Sequence, residues 1–286
     1  MSAEKTIRLA NGTQLPEAFF GVYQIKDAAQ CQKAVEDALA AGYRALDTAA
    51  SYGNEAAVGA AIKASGLPRE SLFITTKLWV EDASEAGAVR AVKRSLELLG
   101  LDYLDLYLIH QPVGDVYGAW RTMEKFNEEG VLRAIGVSNF APDRLIDFAS
   151  HQKIRPMVNQ VEINPYCQQA DALPIMRDLG VVPQAWAPFA EGRNGLFENP
   201  VIAEVAKKHG RTVGQIVLRY VLELGASTIA KTVRPERMRE NLDIFSFALD
   251  EEDKTKLAAL DTKTSQFFSH RDPEIIRWMC SRHIEH

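Results

Sequence analysis

Cysteine is scarce. Cys31, Cys167 and Cys280 are scattered through 286 residues. An odd, dispersed set excludes a disulfide scaffold and reads as reduced thiols in a cytoplasmic protein. No Cys/His cluster has the spacing of a zinc site, so no metal is expected. No apolar run approaches the roughly 20 residues that a membrane helix needs. The N-terminal stretch MSAEKTIRLANG carries charge at once and lacks the apolar core of a leader peptide. A basic excess is missing as well: 33 Lys and Arg stand against 38 Asp and Glu, for a net charge of −5. That balance excludes proteins that coat nucleic acid or lie on anionic membranes. No nucleic-acid or membrane partner is expected. No two of the 18 glycines lie two apart, so the G-x-G-x-x-G dinucleotide fingerprint is absent.

What is present is an alternation. Short apolar, β-branched or aromatic runs occur at AFFGV (18–22), YRALDT (43–48), LFITTKLW (72–79), YLDLYLIH (103–110), LRAIGVSN (132–139), MVNQVEIN (157–164), VVPQAWAP (181–188) and STIAKTV (227–233). Helical patterns fill the gaps. Ala88, Val89, Val92, Leu96 and Leu99 recur at helical spacing, with Ser84 placed to cap the start and Gly100 the end. Ala34, Val35, Ala38, Leu39 and Gly42 repeat the arrangement, as do Trp120, Met123, Phe126 and Gly130. Strands alternating with helices imply parallel βαβ units, and eight of them predict a closed (β/α)8 TIM barrel. An open doubly wound sheet is the alternative. IRLANGTQLP, turning at Asn11-Gly12, predicts an N-terminal β-hairpin at the barrel bottom. A helix is expected from Glu251 to Leu260, followed by a C-terminal tail over one barrel face.

Barrels of this kind build their sites at the C-terminal strand ends. There the second to eighth runs carry Asp47 (with Tyr52 just beyond), Lys77 and Trp79, His110, Ser138-Asn139, Gln160 and Glu162, Trp186, and Lys231-Thr232. Buried charge is costly unless paired, and packing alone does not account for polar groups at so many strand ends. A lysine beside a tyrosine is expected to lower the phenol's pKa, with Asp47 as the lysine's counterion. His110 can donate to a substrate oxygen. The four together would polarise and protonate a carbonyl. The matching hydride must come from a nicotinamide. Trp186 can stack on that ring, and Ser138, Asn139 and Gln160 have the right types to bond its carboxamide. KTVRPERMREN (231–241) crowds four cations into nine residues, a candidate phosphate clamp that favours NADP over NAD.

The chain resembles the aldo-keto reductases over essentially its whole length, through GYRALDTAASYGNE, ITTKLW, LDLYLIHQP, IGVSNF, NQVEINPY and KTVRPERMRENLDIFSFAL. The resemblance implies one reductase domain over residues 1–286, the barrel fold, NADPH/NADP+ as cofactor and a tetrad of Asp47, Tyr52, Lys77 and His110, with Tyr52 as proton donor and His110 orienting the substrate. It carries nicotinamide contacts onto Ser138, Asn139, Gln160 and Trp186. It carries adenosine-phosphate contacts onto Lys231, Thr232, Val233, Arg237, Glu240 and Asn241. Within the family the chain looks most like the bacterial branch of 2,5-diketo-gluconate and glyoxal/methylglyoxal reductases, commonly monomeric. Two departures stand out. Ala230 replaces a frequent proline, which should loosen that strand end. Ala187 lacks a hydroxyl that could meet the diphosphate.

Short loops after His110 and after Trp186 predict a shallow mouth tolerant of small carbonyls such as methylglyoxal, 2,5-diketo-gluconate or aromatic aldehydes. Tyr23, Trp79 and Phe268 are its candidate walls. Two other readings stay open: a Schiff-base lyase using Lys77, and an NADP(H)-binding regulatory protein without turnover.

Overall fold

The structure is a computed structural model and describes residues 5–284. The first four residues of the leader reading lie outside the described residues. Strands β1 (Thr6–Arg8) and β2 (Gln14–Pro16) pair antiparallel, with Gly12 at φ +89° in the turn. Asn11 Nδ2 donates to Arg133 O just ahead of a barrel strand, and Ser227 Oγ donates to Pro16 O at the start of another. The hairpin therefore sits at the N-terminal end of the barrel, as its sequence predicts.

Eight parallel strands follow: β3 (Ala18–Gly21), β4 (Ala45–Asp47), β5 (Phe73–Leu78), β6 (Leu106–Ile109), β7 (Ile135–Ser138), β8 (Val158–Glu162), β9 (Val182–Trp186) and β10 (Ser227–Ala230). They close in the order β10-β3-β4-β5-β6-β7-β8-β9. Each predicted run holds one strand. β10 pairs with β3 up to Ala230 opposite Phe20, where alanine, unlike proline, keeps an N–H.

Helices α1 (Ala28–Ala41), α2 (Glu55–Ser65), α3 (Glu85–Leu99), α4 (Val116–Glu128), α5 (Pro142–Ser150), α6 (Ala172–Leu179), α7 (Pro200–His209), α8 (Val213–Glu223) and α9 (Pro235–Leu242) wrap the strands. Ser84 caps α3 by accepting from Gly87 N, and Gly100 ends it in the left-handed region, both read from the sequence. α2 lies so close to the end of α3 that a Cβ on Gly59 would stand 2.5 Å from Leu99 O. Only glycine permits that approach. α10 (Glu251–Ala258) and α11 (Pro273–Ser281) complete the chain. The tail around α11 returns to the C-terminal end of the barrel. Trp79 Nε1 donates to Arg282 O at 2.9 Å, Phe267 packs 5.2 Å from Trp186, and His270 Nε2 meets Gln111 Oε1 at 2.7 Å. The rim is thus taller than the short loops imply, because the tail supplies it.

Among the described residues no helix is long and apolar enough to cross a membrane. No group of three His, Cys, Asp or Glu there is disposed to hold a metal.

Candidate functional site

The site is assembled on β4, β5 and β6, where strand periodicity alternates side chains between barrel interior and helix layer. In β5, Thr76 turns outward and donates to Glu55 at the start of α2, at 2.6 Å. Lys77 therefore turns inward. Its side chain is fully buried, and its ammonium has three bonds: Asp47 Oδ1 at 2.6 Å, Thr48 O at 2.8 Å and Tyr52 Oη at 3.5 Å. All three donors of a lysine are thereby used. Tyr52 ends a short helical turn, Ala50–Tyr52. Asn54 holds the segment around it by accepting from Thr48 Oγ1 and donating to Val22 O. His110 follows β6 and lies edge-on to Tyr52, ring centres 5.7 Å apart, and to Trp79 at 5.4 Å. Tyr23 covers Tyr52 at 4.9 Å. The four tetrad residues and two of the three candidate pocket walls, Tyr23 and Trp79, meet in one place. The third candidate wall, Phe268, packs 5.0 Å from His270, which meets Gln111 next to His110.

Electrostatics revises one expectation. The sequence reading has Lys77 lowering the pKa of the Tyr52 phenol. In the structure burial pushes that phenol well above its ordinary value, and the Asp47 carboxylate pushes the same way. The reason is that Asp47 pairs with Lys77 and cancels much of its field, so desolvation dominates. The phenol keeps its proton at neutral pH. Burial also draws Lys77 down from the usual amine range, opposed by its bond to Asp47. Burial, then the nearby charges of Lys77, Arg282 and His270, hold His110 well below its usual range. It is a neutral imidazole at physiological pH, with Ser51 Oγ 3.3 Å from Nδ1.

A second group of residues lies across the barrel. Asp47 Oδ2 accepts from Gln160 Nε2 at 2.9 Å. β4 and β8 stand opposite each other in the strand order, so this bond spans the interior. Gln160 Nε2 also donates to Gln184, which leaves its Oε1 for any further partner. Ser138 Oγ donates to Gln160 O. Asn139, at φ +65°, donates to His110 O, Gln111 and Ser138, and its Oδ1 accepts from Trp186 Nε1 at 2.9 Å. The four predicted nicotinamide contacts form one hydrogen-bonded patch beside the tetrad.

The predicted phosphate contacts run from the end of β10 along α9. Lys231, Val233, Arg234 and Arg237 are exposed and Thr232 is half-buried. No side chain caps α9, so its first N–H groups remain available to an anion. Among the described residues none of Lys231, Arg234, Arg237 and Arg239 has an ion-pair partner. Two predicted contacts are less available. Glu240 Oε1 accepts from Thr212 at 2.6 Å, and Asn241 is buried.

Sequence reasoning did not single out Thr48, Ser51, Asn54, Gln184, Phe267, His270 or Arg282. Thr48, Ser51 and Asn54 flank the predicted tetrad and carried a signal in their polarity. The tail residues carried none, because their contacts depend on where the tail folds back.

The family model of the aldo/keto reductase family matches residues 17–262. Glyoxal reductase of Bacillus subtilis (strain 168) is 42% identical over 261 residues, 91% of this chain and 94% of that protein. The 9,11-endoperoxide prostaglandin H2 reductase of Trypanosoma cruzi (strain CL Brener) is 40% identical over 257 residues, 89% of this chain and 91% of that protein. Among solved structures, a Bombyx mori aldo-keto reductase in complex with NADP superposes with a TM-score of 0.89 at 32% identity, covering 94% of this chain and 96% of that one. The chain belongs to the aldo/keto reductase family and is an oxidoreductase of that class.

Proposed function

We propose that the protein reduces small aldehydes and ketones to alcohols with NADPH, with Tyr52 as the proton donor. The observation that carries this reading is the Lys77 ammonium, bonded to Asp47 and 3.5 Å from the Tyr52 oxygen. When bound, NADPH supplies a hydride to the carbonyl carbon, so the products are the alcohol and NADP+. The carbonyl oxygen takes its proton from the Tyr52 hydroxyl. The phenolate left behind is stabilised by the adjacent ammonium, which costs no reorganisation because Asp47 and Thr48 O already hold it in place. His110 is neutral, and a Ser51 hydroxyl donating to Nδ1 leaves Nε2–H free to point at the carbonyl oxygen.

The residues present fit the cofactor. Three cations without ion-pair partners among the described residues, Lys231, Arg234 and Arg237, stand at or near an uncapped helix start, a donor set suited to a phosphate monoester. Lys231, Thr232 and Arg237 would hold it, with Val233, exposed beside Thr232, and Glu240, which accepts from Thr212, as the further contacts we propose. Asn241 would serve only after a local shift, since it is buried. Trp186, its indole fixed by Asn139, would support the nicotinamide. Gln160 Oε1 would accept from the carboxamide, with Ser138 and Asn139 beside it.

Relatives include a protein called glyoxal reductase, a name that supports small carbonyls; methylglyoxal, 2,5-diketo-gluconate and aromatic aldehydes are our proposed substrates. We place the enzyme in the cytoplasm as a monomer. The Schiff-base alternative is disfavoured because Lys77 is buried, ion-paired and has every donor engaged. Following NADPH absorbance with methylglyoxal or a nitrobenzaldehyde tests the reading. Consumption of NADPH without a borohydride-trapped adduct on Lys77 is expected. An adduct without NADPH consumption would support the lyase, and NADPH binding without turnover the regulatory protein.

A further inference from the structure

The tail touches the residues assigned to the cofactor. His270 lies between Thr262 and α11, beyond the stretch that the family model matches. Its Nε2 stands 2.7 Å from Gln111 Oε1, and the same oxygen accepts from Asn139 Nδ2 at 3.2 Å. Asn139 Oδ1 in turn accepts from Trp186 Nε1 at 2.9 Å. A chain of three hydrogen bonds therefore runs from the tail to the indole assigned to the nicotinamide.

The direction of each bond in that chain is fixed. An indole N–H only donates, so Asn139 must turn its carbonyl oxygen to Trp186. Its amide nitrogen then faces Gln111 and the main-chain oxygen of His110, which only accepts. Gln111 Oε1 is thus an acceptor, and the His270 nitrogen beside it must carry the hydrogen. Burial holds His270 down at about 4. At neutral pH its imidazole therefore has a single N–H, and the bond to Gln111 uses it. Asn139 sits in the left-handed region at φ +65°, a conformation that persists because its surroundings hold it. The tail segment is tied to the same end of the barrel by other contacts. Gln266 N donates to Glu162 at the end of β8, Phe268 packs 5.0 Å from His270, and Phe267 packs 5.2 Å from Trp186.

We infer that His270 is a positioning residue for the cofactor: through Gln111 and Asn139 it fixes the Trp186 indole, so that the nicotinamide platform is complete only when the tail is seated. The inference rests on the reductase reading and gives the tail a part in holding the cofactor of that same site. A platform fixed in advance loses less freedom when the ring binds, which is where the affinity comes from. The effect belongs to the nicotinamide half alone. Lys231 and Arg237, proposed to hold the phosphate, lie at the end of β10 and on α9, outside this chain of bonds.

The test compares NADPH with 2′,5′-ADP, which carries the 2′-phosphate but no nicotinamide, by titration calorimetry of the full chain. His270→Ala should raise the Kd for NADPH about three- to tenfold, the scale of one hydrogen bond, and leave the Kd for 2′,5′-ADP within about twofold of wild type. His270→Gln keeps an N–H donor without the imidazole, and it should recover most of the NADPH affinity. An unchanged NADPH Kd in His270→Ala would overturn the inference. So would an equal loss for both ligands, the mark of a general distortion. A loss that His270→Gln does not recover would overturn it too, by making the residue a packing element only. If His270→Ala does not fold, Gln111→Ala decides the matter, since it cuts the same chain from the barrel side: an NADPH Kd equal to wild type overturns the inference. Turnover with NADPH alongside an unchanged Kd in His270→Ala leaves the reductase reading standing. A wild-type protein that does not bind NADPH overturns both.

Discussion

Asp47→Asn isolates the buried ion pair on which the site is built. Asparagine has nearly the same shape, so packing is kept while one charge and one acceptor are lost. Asp47 at present accepts from Lys77 through one oxygen and from Gln160 through the other. An amide offers one oxygen and one NH2, so one of those donors must face another donor. Lys77 is fully buried, and stranding a buried charge by removing its partner costs roughly 3–5 kcal/mol. At roughly 2–4 °C per kcal/mol for a domain of about this size, Tm should fall by roughly 6–20 °C.

The cost also depends on pH, in a direction that can be worked out. Burial lowers the Lys77 pKa, and Asp47 is the largest influence opposing that. Without Asp47 the folded-state pKa falls further below the unfolded value of about 10.4. A group depressed on folding stabilises the fold above its unfolded pKa, and that stability is lost as pH falls toward the folded pKa. The gap between wild type and variant should therefore be widest near neutral pH and narrow as pH rises toward 10.4. Urea unfolding of both proteins at neutral and mildly alkaline pH reads it directly, since groups common to both cancel in the difference. A destabilisation under about 1 kcal/mol at neutral pH, or a gap that widens as pH rises, would refute the reasoning.

Three further outcomes are expected. Lys231→Ala combined with Arg237→Ala should raise the Kd for NADPH by about tenfold or more, and the Kd for NADH much less, in a fluorescence titration; equal losses would remove the clamp from this segment. His110 should show the nitrogen chemical shifts of a neutral imidazole down to pH values well below about 6.5, and kcat/KM should have no acid limb from it; titration near the ordinary value would contradict its burial against Lys77 and Arg282. Glu162 accepts from Ser265 Oγ, Gln266 N and Asn164 Nδ2, so Glu162→Ala should release the tail, seen as faster proteolysis after residue 262 and a higher KM, with less change in the melting of the barrel.

How much the sequence disclosed follows from the range of the forces involved. Strand and helix periods are local, so β3 to β10 and the cap at Ser84 were readable. The strand-end rule then brought Asp47, Tyr52, Lys77 and His110 together, because barrel closure converts strand ends into neighbours. The sign of the Tyr52 shift was not readable. It depends on the Asp47–Lys77 bond length and on burial, both products of the closed fold. The Asp47–Gln160 bond needs the barrel's diameter, and Arg282 against Ser51 joins residues 231 apart through a tail with no periodic signal. Loop length alone misjudged the mouth because α11 and its flanks form part of the rim.

The central claim is that the Tyr52 hydroxyl delivers the proton as hydride arrives. Single-turnover stopped-flow of NADPH with 4-nitrobenzaldehyde, comparing wild type with Tyr52→Phe, tests it without interference from product release. The account predicts that the variant binds NADPH normally and that hydride transfer slows by about 10²-fold or more. A single-turnover rate within about threefold of wild type would contradict it, since general acid catalysis contributes at least about 10²-fold where it operates.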